Sequence, residues 1–182
     1  MELGMMLYAL FILVISIWNS FAGGIRMSTG KTWDKIVGVA AISAGMLGMC
    51  YIFSLVMGVS PIFVVYLIIA PFVGMGLIIT IDSWYLYRET KSKWILLLAI
   101  YNTVVTFWNL VLMIKIFKDV KFEDIVKIGA GTGVVAFGFS NAEAFLLNLV
   151  IATVIAVIIA FIGRRLYNND DVEVRKIPDG YK

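Results

Sequence analysis

Long apolar stretches without any charged residue make up most of the chain, and short polar segments separate them. The stretches run over residues 3–25, 36–81, 94–114, 128–142 and 144–163. A helix needs about 20 apolar residues to cross the hydrocarbon core of a bilayer. Because a helix also satisfies its backbone hydrogen bonds internally, the pattern predicts an all-α, multi-pass helical bundle in a membrane.

The 46-residue stretch 36–81 is too long for a single span. Ser60 and Pro61 interrupt it, and serine suits the N-cap of a helix while proline suits its first position. The stretch therefore predicts two helices, over roughly 36–58 and 61–87. The chain then holds six hydrophobic helices, of which five are long enough to span, and we expect the first to be a retained helix rather than a cleaved signal.

The fifth hydrophobic segment, 128–142, is ambiguous. Its 15 residues reach about 22 Å at 1.5 Å per residue, less than the roughly 30 Å of the hydrocarbon core. It predicts either a short span that begins near Asp124, with Lys127 reaching the interface, or a re-entrant or interfacial element. Backbone carbonyls within 129–139 could also form a channel filter. Glycines loosen this region at Gly129, Gly131, Gly133 and Gly138.

The basic residues favour five spans over six. Lysine and arginine collect on the cytoplasmic side of membrane proteins. Five spans with the N-terminus outside place 11 of them inside and 4 outside, whereas six spans divide them 9 to 6 at best.

A weak internal repeat favours six spans instead. Residues 16–19 (SIWN) recur as 106–109 (TFWN) and Asp34 recurs as Asp124, both at an offset of ninety. The dipeptide Ile36-Val37 recurs after Asp124 as Ile125-Val126, at an offset of eighty-nine. A duplication into halves 1–90 and 91–167 would make an inverted three-plus-three repeat.

Composition narrows the functional classes. Apolar residues make up 62% of the 182 positions and charged residues 15%, which excludes an ordinary soluble domain. The chain has no histidine, and Cys50 is its only cysteine, so an intramolecular disulfide and histidine-based chemistry are excluded. We expect no enzymatic activity, no cofactor, no metal site and no nucleic-acid partner. The end of the chain, 168–182, reads as a solvated polar tail.

Two polar helix faces are candidate linings for a solute pathway. Asn102, Thr106 and Asn109 lie at i, i+4 and i+7, on one face of the fourth helix. Ser16 and Asn19, with Ser20, make a comparable strip on the first helix. Such groups either bond to neighbouring helices or line a water-filled path.

Two acidic residues are further candidates for the pathway. Asp82 lies in an otherwise apolar run, with Arg26 and Arg88 as candidate partners, and an intramembrane acid suggests cation or proton handling when it is not simply ion-paired. Glu143 completes the pattern Ser140-Asn-Ala-Glu143, which predicts a capping box and, as an alternative, one ligand of a cation site.

The second helix carries small residues at packing intervals. Ala41 and Gly45, and Ala44 and Gly48, form small-xxx-small pairs that let helices approach closely. We expect this face to pack within or between protomers.

The sequence therefore predicts a multi-pass protein of the cell membrane that mediates passage of an ion or small solute, as a homo-oligomer or within a larger complex. The alternative is a non-transporting accessory or assembly subunit of a membrane complex. A hydrated path to the asparagine faces would favour transport, and a dry core would favour the alternative.

Overall fold

A computed structural model describes residues 3–29, 31–131 and 136–174 of the chain. Seven helical elements follow one another in this part, and their bounds are α1 Leu3–Arg26, α2 Thr32–Val56, α3 Pro61–Thr90, α4 Lys93–Asp119, α5 Phe122–Ala130, a 3₁₀ turn Ala136–Gly138 that we call η1, and α6 Asn141–Val174. Five of them (α1, α2, α3, α4 and α6) are long and apolar enough to cross a membrane. The prediction of six hydrophobic helices with five spans is confirmed.

The predicted break between α2 and α3 is confirmed, and local hydrogen bonds explain it. Gly58 adopts a left-handed conformation (φ 80°), which ends α2. Val59 N donates to Ser54 O at 2.9 Å and Gly58 N donates to Leu55 O at 3.1 Å, the two bonds of a Schellman cap. Ser60 then occupies the N-cap of α3 and Pro61 its first position.

The segment 128–142 does not form a fifth spanning helix in the described residues. It is divided among the end of α5, η1 and the start of α6, while 132–135 lie outside the described part. Helix α5 has nine residues, so it reaches only about 14 Å. It lies across the ends of α3 and α6 and buries Ile125 and Gly129, so it is a short surface element.

Helix α2 occupies the centre of the bundle. It packs against α1, α3 and α6, and α1 also packs against α6, so α1, α2 and α6 form a closed three-helix unit. Helix α3 covers another side of α2 and carries α4 on its outer side. In the apolar stretch of α2, 61% of the residues are buried, whereas only 11% are buried in that of α4. Helix α4 is therefore the least buried of the five long helices in the described part.

The two ends of the bundle differ in charge. At one end α1, α3 and α6 finish and α2 and α4 begin, and we call it the basic end. Its exposed basic side chains are Lys31, Lys35, Arg88, Lys91, Lys93, Arg164 and Arg165. The charge distribution along the sequence predicts that this end faces the cytoplasm.

Helix α6 is longer than the sequence indicated. It continues to Val174, seven residues into the predicted tail, and 175–182 lie outside the described residues. The first helix-breaking residues after Gly163 are Pro178 and Gly180, so nothing local stops the helix earlier.

The internal duplication stays a prediction. Residues 1–90 contain three long helices, whereas 91–167 contain two long helices and the short α5. An inverted three-plus-three arrangement would need a third span from the second half.

Candidate functional site at the basic end of the bundle

One arginine and two aspartates from three helices meet at the basic end. Arg26 is the last residue of α1, Asp34 lies in the first turn of α2, and Asp82 lies two turns before the end of α3. Arg26 Nη1 donates to Asp34 Oδ1 at 2.6 Å, and Arg26 Nη2 donates to Asp82 Oδ2. We call Arg26, Asp34 and Asp82 the charge cluster.

The helix ends favour this arrangement. A cation is stabilised at the C-terminus of a helix, where Arg26 lies, and an anion is stabilised near the N-terminus, where Asp34 lies. The short connection between α1 and α2 brings these two ends together. Only Asp82 has to be supplied from a distant part of the chain, by the packing of α3 against α2.

Two neutral donors complete the hydrogen bonding of the carboxylates. Trp33 Nε1 donates to Asp82 Oδ1 at 3.0 Å, and Thr29 Oγ1 lies 2.6 Å from Asp34 Oδ2. Each of the four carboxylate oxygens therefore accepts one bond, which orients both acids around the guanidinium.

The cluster holds more negative than positive charge. Asp34 is 8% exposed and Asp82 5% exposed, whereas the Arg26 side chain keeps 25% of its surface exposed. Among the described residues, no second basic side chain lies within 4.0 Å of either carboxylate. With both acids ionised, the formal charge of these three side chains together is −1. No group of three acidic, histidine or cysteine side chains in the described part could enclose a metal ion.

The polar face of α4 contacts α3. Asn102 Nδ2 donates to Ser83 Oγ at 2.7 Å, and the hydroxyls of Thr106 and Thr80 lie 3.1 Å apart. A further bond runs from Trp84 Nε1 to Thr103 Oγ1 at 2.9 Å. We call this row of interhelical bonds the α3–α4 polar seam.

Asn109 and Asn19 do not join either polar group. Asn109 lies one turn beyond Thr106 and donates from Nδ2 to Val105 O of its own helix at 2.9 Å. Asn19 is half-buried, and none of the side-chain hydrogen bonds in the described part of the chain involves it. The structure thus brings together Asn102 and Thr106 but leaves the other two asparagines apart from them.

Ser16 and Ser20 lie in a tight helix contact. Their hydroxyls donate to carbonyls one turn earlier in α1, Ser16 to Ile12 O at 2.7 Å and Ser20 to Ser16 O at 3.0 Å. A Cβ at Gly45 would overlap Ser16 O and Ser20 Oγ, and one at Gly48 would overlap Ser16 Oγ. These serines therefore act as small residues that let α2 pack closely against α1.

The small residues of α2 are inside the protomer. Ala41 and Ala44 are both buried, like Gly45 and Gly48. The same principle extends to α6, because a Cβ at Gly24 of α1 would overlap the backbone of Ala160. Close backbone contact thus fixes the three-helix unit.

Glu143 lies in the first turn of α6, at the end of the bundle opposite the charge cluster. Glu143 Oε2 accepts a bond from Ser140 N at 2.8 Å, and Glu143 N donates to Ser140 Oγ at 3.2 Å. These reciprocal bonds form the predicted capping box of α6.

Sequence reasoning missed two buried asparagines of α6. Asn141 Nδ2 donates to Ile128 O at 2.8 Å and to Gly131 O at 3.1 Å, and its Oδ1 accepts from Ser60 N at 2.9 Å. It thereby joins the starts of α3 and α6 to the end of α5. Asn148 is 1% exposed and donates to Ser54 Oγ of α2 at 3.4 Å. Asn141 begins α6 and Asn148 lies two turns further along it, and an amide side chain within an apolar span was the signal that could have identified them.

Sequence reasoning also did not assign Asp34, Thr29 and Trp33 to the site. Asp34 looks like an ordinary acid in the first turn of a helix, and Trp33 like part of an interfacial aromatic belt. The spacing of Arg26 and Asp34 across a short connection between two spans was the available signal.

No protein family, curated protein or solved structure matches this chain. The five long apolar helices identify it as a multi-pass membrane protein of all-helical fold.

Proposed function

We propose that this protein mediates the passage of a small cation across its membrane, and that the charge cluster is the site at which the cation enters or leaves. The observation that carries the proposal is the pair of buried carboxylates that share one guanidinium. An ionisable group within a membrane span is costly, so its presence favours a role in moving charge.

The geometry of the cluster suits an exchange of cations. Each carboxylate oxygen accepts one hydrogen bond and has a further lone pair available. An entering cation competes with Arg26 for Asp82, and the partly exposed guanidinium gives the cluster its opening toward the aqueous phase.

The α3–α4 polar seam provides the adjoining polar surface. Ser83 and Thr80 on α3 face Asn102 and Thr106 on α4, so hydroxyl and amide oxygens extend about 5 to 6 Å along the helix axes. Such oxygens are suitable ligands for hard cations. Because α4 makes its extended packing contact only with α3 in the described part, the seam can open without disturbing α1, α2 and α6.

The experiment is a flux measurement in proteoliposomes that contain the full-length chain. Gradients of K⁺, Na⁺ and H⁺ are applied in turn, and internal indicators report each ion. We expect flux with the unaltered protein and at most about a tenth of it with Asp82→Asn, a loss of about 1.4 kcal/mol or more. Asp119→Asn, at an exposed position at the other end of α4, is the matched control and should leave the flux unchanged. Absence of flux above that of empty liposomes, or equal flux in Asp82→Asn, would overturn the proposal.

A second candidate is a non-transporting accessory or assembly subunit. The interhelical bonds of the polar seam support it, because Asn102 and Thr106 already have partners within the protomer. Each such contact is worth roughly 0.6 kcal/mol as structural support in a membrane.

Thiol accessibility distinguishes the two candidates. A cysteine replaces Asn102 of the polar seam in a Cys50→Ser background and is exposed to a membrane-impermeant thiol reagent on both sides of the membrane, with Lys118→Cys as the exposed control. Modification at both positions supports a hydrated path, and modification at Lys118→Cys alone supports the accessory subunit.

A further inference from the structure

A shallow groove of about 430 Å³ lies between α2 and α3 in the half of the bundle next to the basic end. Its walls are mainly apolar, and α2 contributes Ile36, Val39 and Ala40 while α3 contributes Met75 and Ile78. Val39 is 53% exposed, so the groove is open on the side that faces the hydrocarbon of the bilayer.

The length of the groove matches one leaflet. It extends along α2 from Thr32 to Ser43, which is about 16 Å at the helical rise of 1.5 Å per residue. Half of a hydrocarbon core of roughly 30 Å is about 15 Å. An acyl chain of the leaflet at the basic end would therefore fill the groove without reaching the opposite leaflet.

The end of the groove at the membrane surface is polar and positively charged. Thr32 and Lys35 line it there, both are exposed, and Lys31 is exposed beside them. Lys35 makes no salt bridge with any described residue. The two lysines together outweigh the single excess negative charge of the neighbouring charge cluster, so the groove presents a positive headgroup end and an apolar chain end.

We propose that this groove holds one phospholipid with an anionic headgroup, with the lipid phosphate at Lys35 and Thr32 and an acyl chain along Val39 and Met75. Charge complementarity favours an anionic over a zwitterionic lipid, because each lysine near the surface contributes attraction for anionic lipid. The inference is independent of the proposed cation passage, since it concerns the lipid-facing side of α2 and α3.

Native mass spectrometry of the full-length protein tests the proposal. The protein is released from nanodiscs that contain equal amounts of phosphatidylglycerol and phosphatidylcholine, and the retained lipid is identified as the collision energy rises. We expect one phosphatidylglycerol to be retained in preference to phosphatidylcholine. Lys35→Gln should reduce that preference about fivefold, the equivalent of about 1 kcal/mol for one lysine at a membrane surface.

Two further variants make the outcome specific to the groove. Val39→Trp places a larger side chain in the groove at an exposed position and should abolish retention of the lipid. Lys93→Gln removes an exposed lysine of the same end outside the groove and should leave retention unchanged. Circular dichroism confirms that each variant is folded. Equal retention of the two lipids, or unaltered retention in Lys35→Gln or Val39→Trp, would overturn the proposal.

Discussion

Replacing Arg26 with glutamine tests how strongly the charge cluster holds the fold together. The substitution leaves two carboxylates, 8% and 5% exposed, next to each other without a positive charge between them. Removing one partner of a buried ion pair costs about 3 to 5 kcal/mol. Because the Arg26 side chain is a quarter exposed, and Thr29 and Trp33 still donate to the acids, we expect a loss at the lower limit, about 3 kcal/mol.

The assay is reversible unfolding in mixed micelles as the fraction of denaturing detergent rises, followed by circular dichroism. A variant in which Arg26→Gln is combined with Asp34→Asn and Asp82→Asn removes the uncompensated charges. It should regain at least about 1 kcal/mol relative to the single variant, since neutral amides are far cheaper to bury than charges. Because buried charges are weakly screened, the cost of Arg26→Gln should also change little with salt concentration.

A small effect of Arg26→Gln, or a different order of stabilities among the variants, would contradict the expected role of the buried charges. If Arg26→Gln costs less than about 1 kcal/mol, the cluster is more hydrated than its burial indicates. If the triple variant is less stable than the single one, the hydrogen bonds of the cluster contribute more to the stability of the fold than its charges do.

Three further contacts are tested by pairs of substitutions in the same unfolding assay. Gly45→Ala should cost about 1 to 3 kcal/mol because its Cβ would overlap α1. The same change at Gly74, where no atom lies within 4 Å, should stabilise α3 by up to about 1 kcal/mol. Equal effects at the two glycines would contradict the close packing of α1 against α2. Asn141→Ala should cost about 1 to 3 kcal/mol because it removes the side-chain partner of three backbone groups, two at the end of α5 and one at the start of α3, and Asn109→Ala, which breaks only a bond within α4, serves as the milder comparison. Glu143→Ala should lower the stability, and Glu143→Gln should lower it less because glutamine can also complete a capping box; a larger loss with glutamine than with alanine would refute the capping role.

Features set by local chemistry could be predicted from the sequence. The spans follow from the length of the apolar stretches, the break before Pro61 follows from turn and cap residues, and the capping box of α6 follows from the spacing of Ser140 and Glu143. In each case, residues that are close together in the sequence determine the feature. The sequence also indicates Arg26 as a candidate partner of Asp82, because both residues lie near the same membrane interface, and the structure forms this pair.

Features that depend on which helix faces meet could not be predicted in the same way. In water, an apolar stripe shows which side of a helix is buried, but a membrane span is apolar on every side. The sequence therefore did not distinguish Ser16, which packs against Gly48, from Asn102, which bonds to Ser83. It could not show that Asp34 and Asp82 share Arg26 either, since that requires the packing of α3 on α2.

Helix α3 links the charge cluster to the polar seam through consecutive residues. Asp82 bonds to Arg26 on one side of α3, and Ser83, rotated by about 100° around the axis, accepts a bond from Asn102 on α4. If the proposed cation displaces Arg26 from Asp82, α3 loses its bond to the end of α1 but keeps the bond from Trp33 and its packing against α2, so only a small rotation or shift of α3 is open to it. Any such motion also displaces Ser83 and therefore strains the bond to Asn102. Because α4 has no other extended packing contact in the described part, a movement of α4 would relieve the strain with the smallest loss of contacts and would open the seam beside the proposed cation site.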